Sequence, residues 1–260
     1  MHGRSPVLGR AQSLRADSTQ LDCVNWTLAR QRTLLALHWG VHRRARSHEA
    51  KLRRAEDLLD AARTLATARG GVRHITLAAV TEAAGLHPSA VRRYFDSKEE
   101  LLLELAERGW DQWRDTLTAH LADVRDLTPA RTAAAVATTL ASLPLFCDLL
   151  THTPLSLEGE VTIERARRYK TRSFAAYDAI VDALAGAGTM TTAQVQGLIT
   201  TALGVTAYLW QVSHPTATLA ELYAQEPRWA HAALDFEPRL SRLLQATAVG
   251  LAITGSTRCD

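Results

Sequence analysis

The chain has 260 residues, 47% of them apolar and 22% charged, which is more than one typical domain of about 100–200 residues. It is alanine-rich with few β-branched runs, which argues for a helical bundle over a sheet protein, and no uninterrupted apolar run approaches the ~18 residues of a membrane span. The net charge of +3 is uneven: residues 1–48 hold eight Arg against two Asp, residues 49–100 nine basic against eight acidic, and the remainder 13 against 17, so the N-terminal side suits a polyanion.

Residues 1–48 open loosely, with Gly3, Ser5, Pro6 and Gly9. Trp26, Leu28, Leu34, Leu35 and Leu37 then suggest a helix ringed by arginines. This stretch reads either as a basic arm or as sequence upstream of the functional start. His38 and His42 share a helix face but lack a third metal ligand, so they read as surface residues. From Ala50 the periodicity sharpens: Leu52, Ala55, Leu58, Leu59, Ala62 and Leu65 recur at helical spacing up to Gly70-Gly71. Thr76 suits the cap of a short second helix containing Val80, Ala83 and Ala84, which Gly85 breaks. Pro88 fits the first position of a third helix whose Val91 and Phe95 face inward. Ser97-x-x-Glu100 reads as a capping box opening a fourth, with Leu102, Ala106, Trp110, Trp113, Leu117 and Leu121 on one side.

Further helices are predicted from Thr128-Pro129, over about 160–185 and from Thr191-x-x-Gln194 to His214-Pro215, with a last one over about 238–251. Pro144 and Pro154 bracket a short apolar piece, Leu145–Leu150. Gly186 and Gly188 are read as stopping the long helix. The basic run Arg165, Arg167, Arg168, Lys170 and Arg172 reads as a solvated helix face, with an anion site as its alternative.

Two short helices joined at a glycine, the second carrying exposed arginines, have the form of a helix-turn-helix. An ordinary helical hairpin is the competing reading. The run Ile75-Thr-Leu-Ala-Ala-Val-Thr-Glu-Ala-Ala-Gly-Leu-His-Pro-Ser-Ala-Val-Arg-Arg-Tyr-Phe-Asp-Ser-Lys-Glu-Glu-Leu101 resembles the DNA-binding segment of TetR/AcrR-type regulators. The likeness is close over about residues 50–105; beyond that only the layout of helices is similar. It implies an all-α fold in three parts: a basic N-terminal extension (1–48), a three-helix helix-turn-helix domain (49–97), and a helical ligand-binding and dimerisation bundle (98–260).

The resemblance also implies roles. Thr76 matches a phosphate-binding position, and His87, Ser89 and Ala90 match the start of the recognition helix, where side chains meet base edges. Tyr94 and Lys98 match phosphate contacts, while Leu86, Val91 and Phe95 match core. Arg92 and Arg93 stand where relatives often carry aromatic residues or histidine, which points to an altered operator, since guanidinium grips phosphate or reads guanine. Packing of Arg93 on the fourth helix is the alternative. Thr81 and His87 also depart from the common alanine and serine.

A homodimer through the helices near 191–213 and 238–251 is implied, although those faces could instead close the monomer's own core. A small-molecule effector in the bundle is implied too, with Trp113, Phe146, His152, Phe174, Tyr177 and Trp210 as candidate lining residues, each of which reads first as plain core. The expected function is a sequence-specific transcriptional regulator on double-stranded DNA, a repressor released from a palindromic operator by its ligand. An activator of the same fold, or a helical module that has lost operator binding, are the alternatives.

No cofactor or metal is expected: Cys23, Cys147 and Cys259 have no zinc or redox spacing, nor do His120, His152, His214 and His231. Catalysis is not expected, for want of a nucleophile elbow, phosphate loop or paired-acid signature. Gly186-Ala-Gly188 lacks the third glycine and preceding strand of a dinucleotide site. Without a secretory signal, the protein is expected in the cytoplasm, away from membranes.

Overall fold

The computed structural model describes residues 49–232 and 235–256. The chain divides into two units, residues 1–53 and 54–260. In the first, described residues 49–53 are helical and carry an ion pair between Glu49 and Arg53. The readings of residues 1–48, including His38, His42 and Cys23, fall outside the described residues, as does Cys259.

In the second unit every element among the described residues is helical, and one isolated bridge joins Leu127 to Gly188. Helix α1 (54–68) buries Leu58, Leu59, Ala62 and Ala66. It ends in a left-handed turn at Gly70 (φ +73°), whose follower Gly71 donates its N–H to the Ala66 carbonyl, a closure that an L side chain at Gly70 would strain. After a turn at Val72–His74 comes α2 (Leu77–Ala83), whose cap Thr76 accepts the Ala79 N–H. Gly85 (φ +65°) ends α2 in the same way, with Leu86 N–H on the Thr81 carbonyl.

The recognition segment, Pro88–Arg93, is a single six-residue 3-10 turn and not the longer helix expected from periodicity. Its bonds run from Ala90 to His87 and from Tyr94 to Val91, three residues apart, yet Phe95 also bonds Val91. Val91 and Phe95 therefore both stay buried.

Helix α3 (Lys98–Leu121), about 36 Å long at 1.5 Å per residue, runs from the helix-turn-helix into the bundle. Ser97 accepts the Glu100 N–H as a cap should, but the Glu100 carboxylate reaches back one residue too far for a capping box and takes the Asp96 N–H. All six apolar residues predicted along it are buried.

The bundle continues through α4 (Pro129–Ala141), α5 (Pro144–His152), α6 (Ile163–Ala187), α7 (Thr192–Ser213), α8 (Ala217–Gln225) and α9 (Phe236–Ser256). Helix α3 packs on α6, α5 on α7, and α9 on both α4 and α7. The capping box at Thr191 and Gln194 forms as read. Helix α5 runs on through a π turn, Thr153–Leu157. Gly186 stays inside α6, which stops at Gly188. Helix α8, which the sequence reading did not include, buries none of its residues.

Candidate functional site

The recognition segment is held from below and bare above. Val91 and Phe95 anchor it in the core, Leu86 is half-buried, and His87, Ser89, Arg92 and Arg93 are exposed. Arg93 therefore does not pack into the core. His87 caps the segment, its Nδ1 accepting the Ser89 N–H at 3.3 Å and lying 2.8 Å from Ser89 Oγ. Arg92 donates to the Asp96 carbonyl at 3.0 Å, while Ala90 and Tyr94 are half-buried. Thr76 is exposed at the start of α2, and Lys98 donates to the Arg73 carbonyl at 3.3 Å. That bond adds exposed Arg73, which the sequence did not single out, to the same cationic end as Lys98.

The seam between α3 and α6 is ionic. Buried Glu107 pairs with buried Arg165, and Arg168 pairs with Glu104. Arg172 reaches Asp111 at 2.7 Å, and Arg108 ties α3 to Glu56 of α1 through two bonds of 2.5 and 2.7 Å. Three arginines of the run read as a solvated face are thus committed to carboxylates; Arg167 alone of the arginines is left exposed on that face without one of these partners. A second polar joint centres on Asp148 of α5, which is buried. It accepts the Val72 N–H at 2.7 Å and the Gln211 side-chain amide of α7 at 3.0 Å, so one carboxylate joins the turn before α2 to two bundle helices. His152 Nε2 lies 3.8 Å from Asp148.

Between α3, α5, α6 and α7 lies a cavity of about 440 Å³. Of the candidate lining residues, Phe174 and Tyr177 line it. Trp113 and Phe146 do not: they are buried with Trp110 in an aromatic cluster that fills the space beside Gly109. Trp210 stands apart, stacked on His214 and lining a different recess, and His152 lies at the Asp148 joint. Trp110, which periodicity placed on an apolar helix face, lines the cavity together with Tyr169, Glu158 and Lys170. Burial pushes the Tyr169 phenol up to about 12.

No group of His, Cys, Asp or Glu among the described residues could hold a metal ion. The Cys147 thiol is buried on the Leu140 carbonyl and raised by burial to about 12, so it is no ready nucleophile. Among the described residues no single helix is long and apolar enough to cross a membrane.

A helix-turn-helix with exposed arginines, followed by an all-helical bundle, defines a DNA-binding transcriptional regulator. The N-terminal model of the bacterial regulatory proteins of the tetR family matches residues 58–105, and the tetracyclin repressor-like C-terminal domain matches residues 107–255, more than half of the chain. The chain belongs to the TetR family. Among solved structures it is similar to a Mesorhizobium loti protein assigned to that family, at 14% identity and a TM-score of 0.42, over 78% of this chain and 97% of the other. No curated protein matches it.

Proposed function

We propose that this regulator is a repressor: a homodimer that sits on a palindromic operator and leaves it when a small molecule fills the cavity between α3, α5, α6 and α7. In this reading residues 54–97 bind DNA and residues 98–256 form the effector and dimerisation bundle, with α3 rooted in both. The observation that carries it is the recognition segment, whose buried Val91 and Phe95 leave His87, Ser89, Arg92 and Arg93 outward together. His87, Ser89 and Ala90 then face base edges, Arg92 and Arg93 read guanine or grip phosphate, and Thr76, Tyr94 and Lys98 hold the backbone.

Dimerisation is supported by α7, which has no charged residue in 22 positions. Its inner face is core (Val195, Leu198, Ile199, Ala202, Leu209), so the monomer's own packing accounts for one side alone. Thr200, Gly204 and Tyr208 form an exposed stripe on the other, and Leu243, Ala246, Val249 and Gly250 share an outward face of α9. Thr200 and Gly204 also line the cavity, so an effector there presses on the interface helix. Asp148 supplies a rigid link from α5 and α7 to the helix-turn-helix. An effector acts by binding the released form more tightly than the operator-bound one.

Footprinting with pure protein on the DNA flanking its own gene tests the reading. The expected result is one symmetric protected stretch, salt-sensitive, at a Kd in the ~10⁻⁸–10⁻¹¹ M range. Absence of any sequence-selective complex up to about micromolar protein removes it.

A further inference from the structure

We propose that the cavity walled by Trp110, Tyr169, Phe174 and Tyr177 takes a lipophilic organic cation, whose charge replaces the ammonium of Lys170 beside Glu158. The inference rests on the reading of this cavity as the effector site and adds the chemical class of the effector.

The chain already seats a cation here. Lys170 Nζ lies 5.8 Å from the centre of the Tyr169 ring and 2.8 Å from Glu158 Oε1. The lysine side chain is 50% exposed and the glutamate 24%, so the ammonium can swing into water while the carboxylate and the ring stay on the wall. Aromatic faces attract cations through their quadrupoles, and the attraction strengthens as water is excluded.

The polar atoms around the cavity are arranged as acceptors. Ser173 donates its proton to the Lys170 carbonyl and Thr200 to the Gln196 carbonyl, which leaves lone pairs on both hydroxyls, while Thr153 donates to the Leu149 carbonyl and is engaged by the Tyr169 hydroxyl. The Trp110 N–H is spent on the Tyr169 oxygen at 3.1 Å. The Tyr177 hydroxyl can accept as well as donate. Lys170 is the one cationic residue among those lining the cavity, and the neighbouring Arg165, Arg168 and Arg172 are committed to Glu107, Glu104 and Asp111. The charges of Glu158 and Glu107 reinforce burial in raising the Tyr169 phenol, which is the effect of a negative potential at this wall. An anion would meet ring faces, lone pairs and a carboxylate, and the one ammonium in the lining is already paired with Glu158. A neutral molecule would gain apolar burial and nothing from Glu158.

The test is calorimetric titration of the DNA-free, full-length protein with three probes that share one ring: (naphthylmethyl)trimethylammonium, naphthylmethanol and naphthylacetate. The cation is expected to bind roughly tenfold more tightly than the alcohol, and the anion most weakly. Glu158→Gln should abolish the preference, and Lys170→Met, which vacates the ammonium's place, should tighten the cation alone. If the alcohol or the anion binds as tightly as the cation, or if Glu158→Gln leaves the order unchanged, the cation assignment is overturned while the effector cavity stands. If none of the three binds, the reading of the cavity as an effector site falls with it.

Discussion

Lys98 and His152 sit where the DNA-binding part meets the bundle, and each makes a testable difference there. In the structure Lys98 spends its ammonium on the Arg73 carbonyl, a bond it can exchange for a phosphate oxygen. Lys98→Ala should weaken operator and random DNA alike and reduce the slope of log K against log salt by about 1, measured by titration at several salt concentrations. Arg92→Ala should lower the same slope if its guanidinium holds phosphate, and relax base preference if it reads guanine.

His152 is held below its ordinary 6.5 by burial, with Lys98 and Arg73 pushing the same way and Asp148 opposing. The unfolded chain therefore takes up a proton that the folded chain refuses, so stability falls as the pH drops below 6.5 and levels off under the folded pKa. Urea unfolding at about pH 7.5 and 5.5 should show that loss in the wild type and a smaller one in His152→Gln.

At the scale of elements the Asp148 joint matters most, because it is the buried hydrogen bond from the bundle to the turn before α2. Asp148→Ala leaves the Val72 N–H buried without a partner and should cost about 1–3 kcal/mol in urea unfolding. Asp148→Asn keeps a carbonyl oxygen for that N–H and should cost less. Nothing in the sequence pointed to Asp148, since a lone acid in the apolar stretch Leu145–Leu150 gives no sign of its hydrogen-bond donors, which lie 76 and 63 residues away. Helix ends were far more legible. The caps Thr76, Ser97 and Thr191 act within three residues of themselves, and the turns at Gly70 and Gly85 need a backbone conformation that glycine alone adopts freely. The shape of the recognition segment was less legible, because one Val91–Phe95 pair fits a 3-10 turn as well as an α-helix.

For the whole molecule the dimer is the decisive expectation. A side chain at Gly250, which lies away from the cavity, would meet nothing within 4 Å in one chain, so a substitution there disturbs a partner and not the protomer's own packing. Gly250→Glu should shift the sedimenting species from twice 28.5 kDa toward that mass itself, and palindrome binding should weaken with it. Retention of the dimer in this variant would place the interface elsewhere. Apolar periodicity predicted much of this bundle, yet it could not say which apolar faces turn inward: on α7 both sides read alike, and packing alone separates Leu198 from Tyr208.

By itself the sequence determined most of the helices, most of their caps and the helix-turn-helix, because those depend on residues three or four apart along one chain. Tertiary structure alone decided that Arg165, Arg168 and Arg172 meet acids, that Trp113 and Phe146 are packing, and that Trp110, Glu158, Tyr169 and Lys170 share one cavity. Those outcomes are set by which helices lie side by side, and a contact across dozens of residues leaves no spacing in the chain to read.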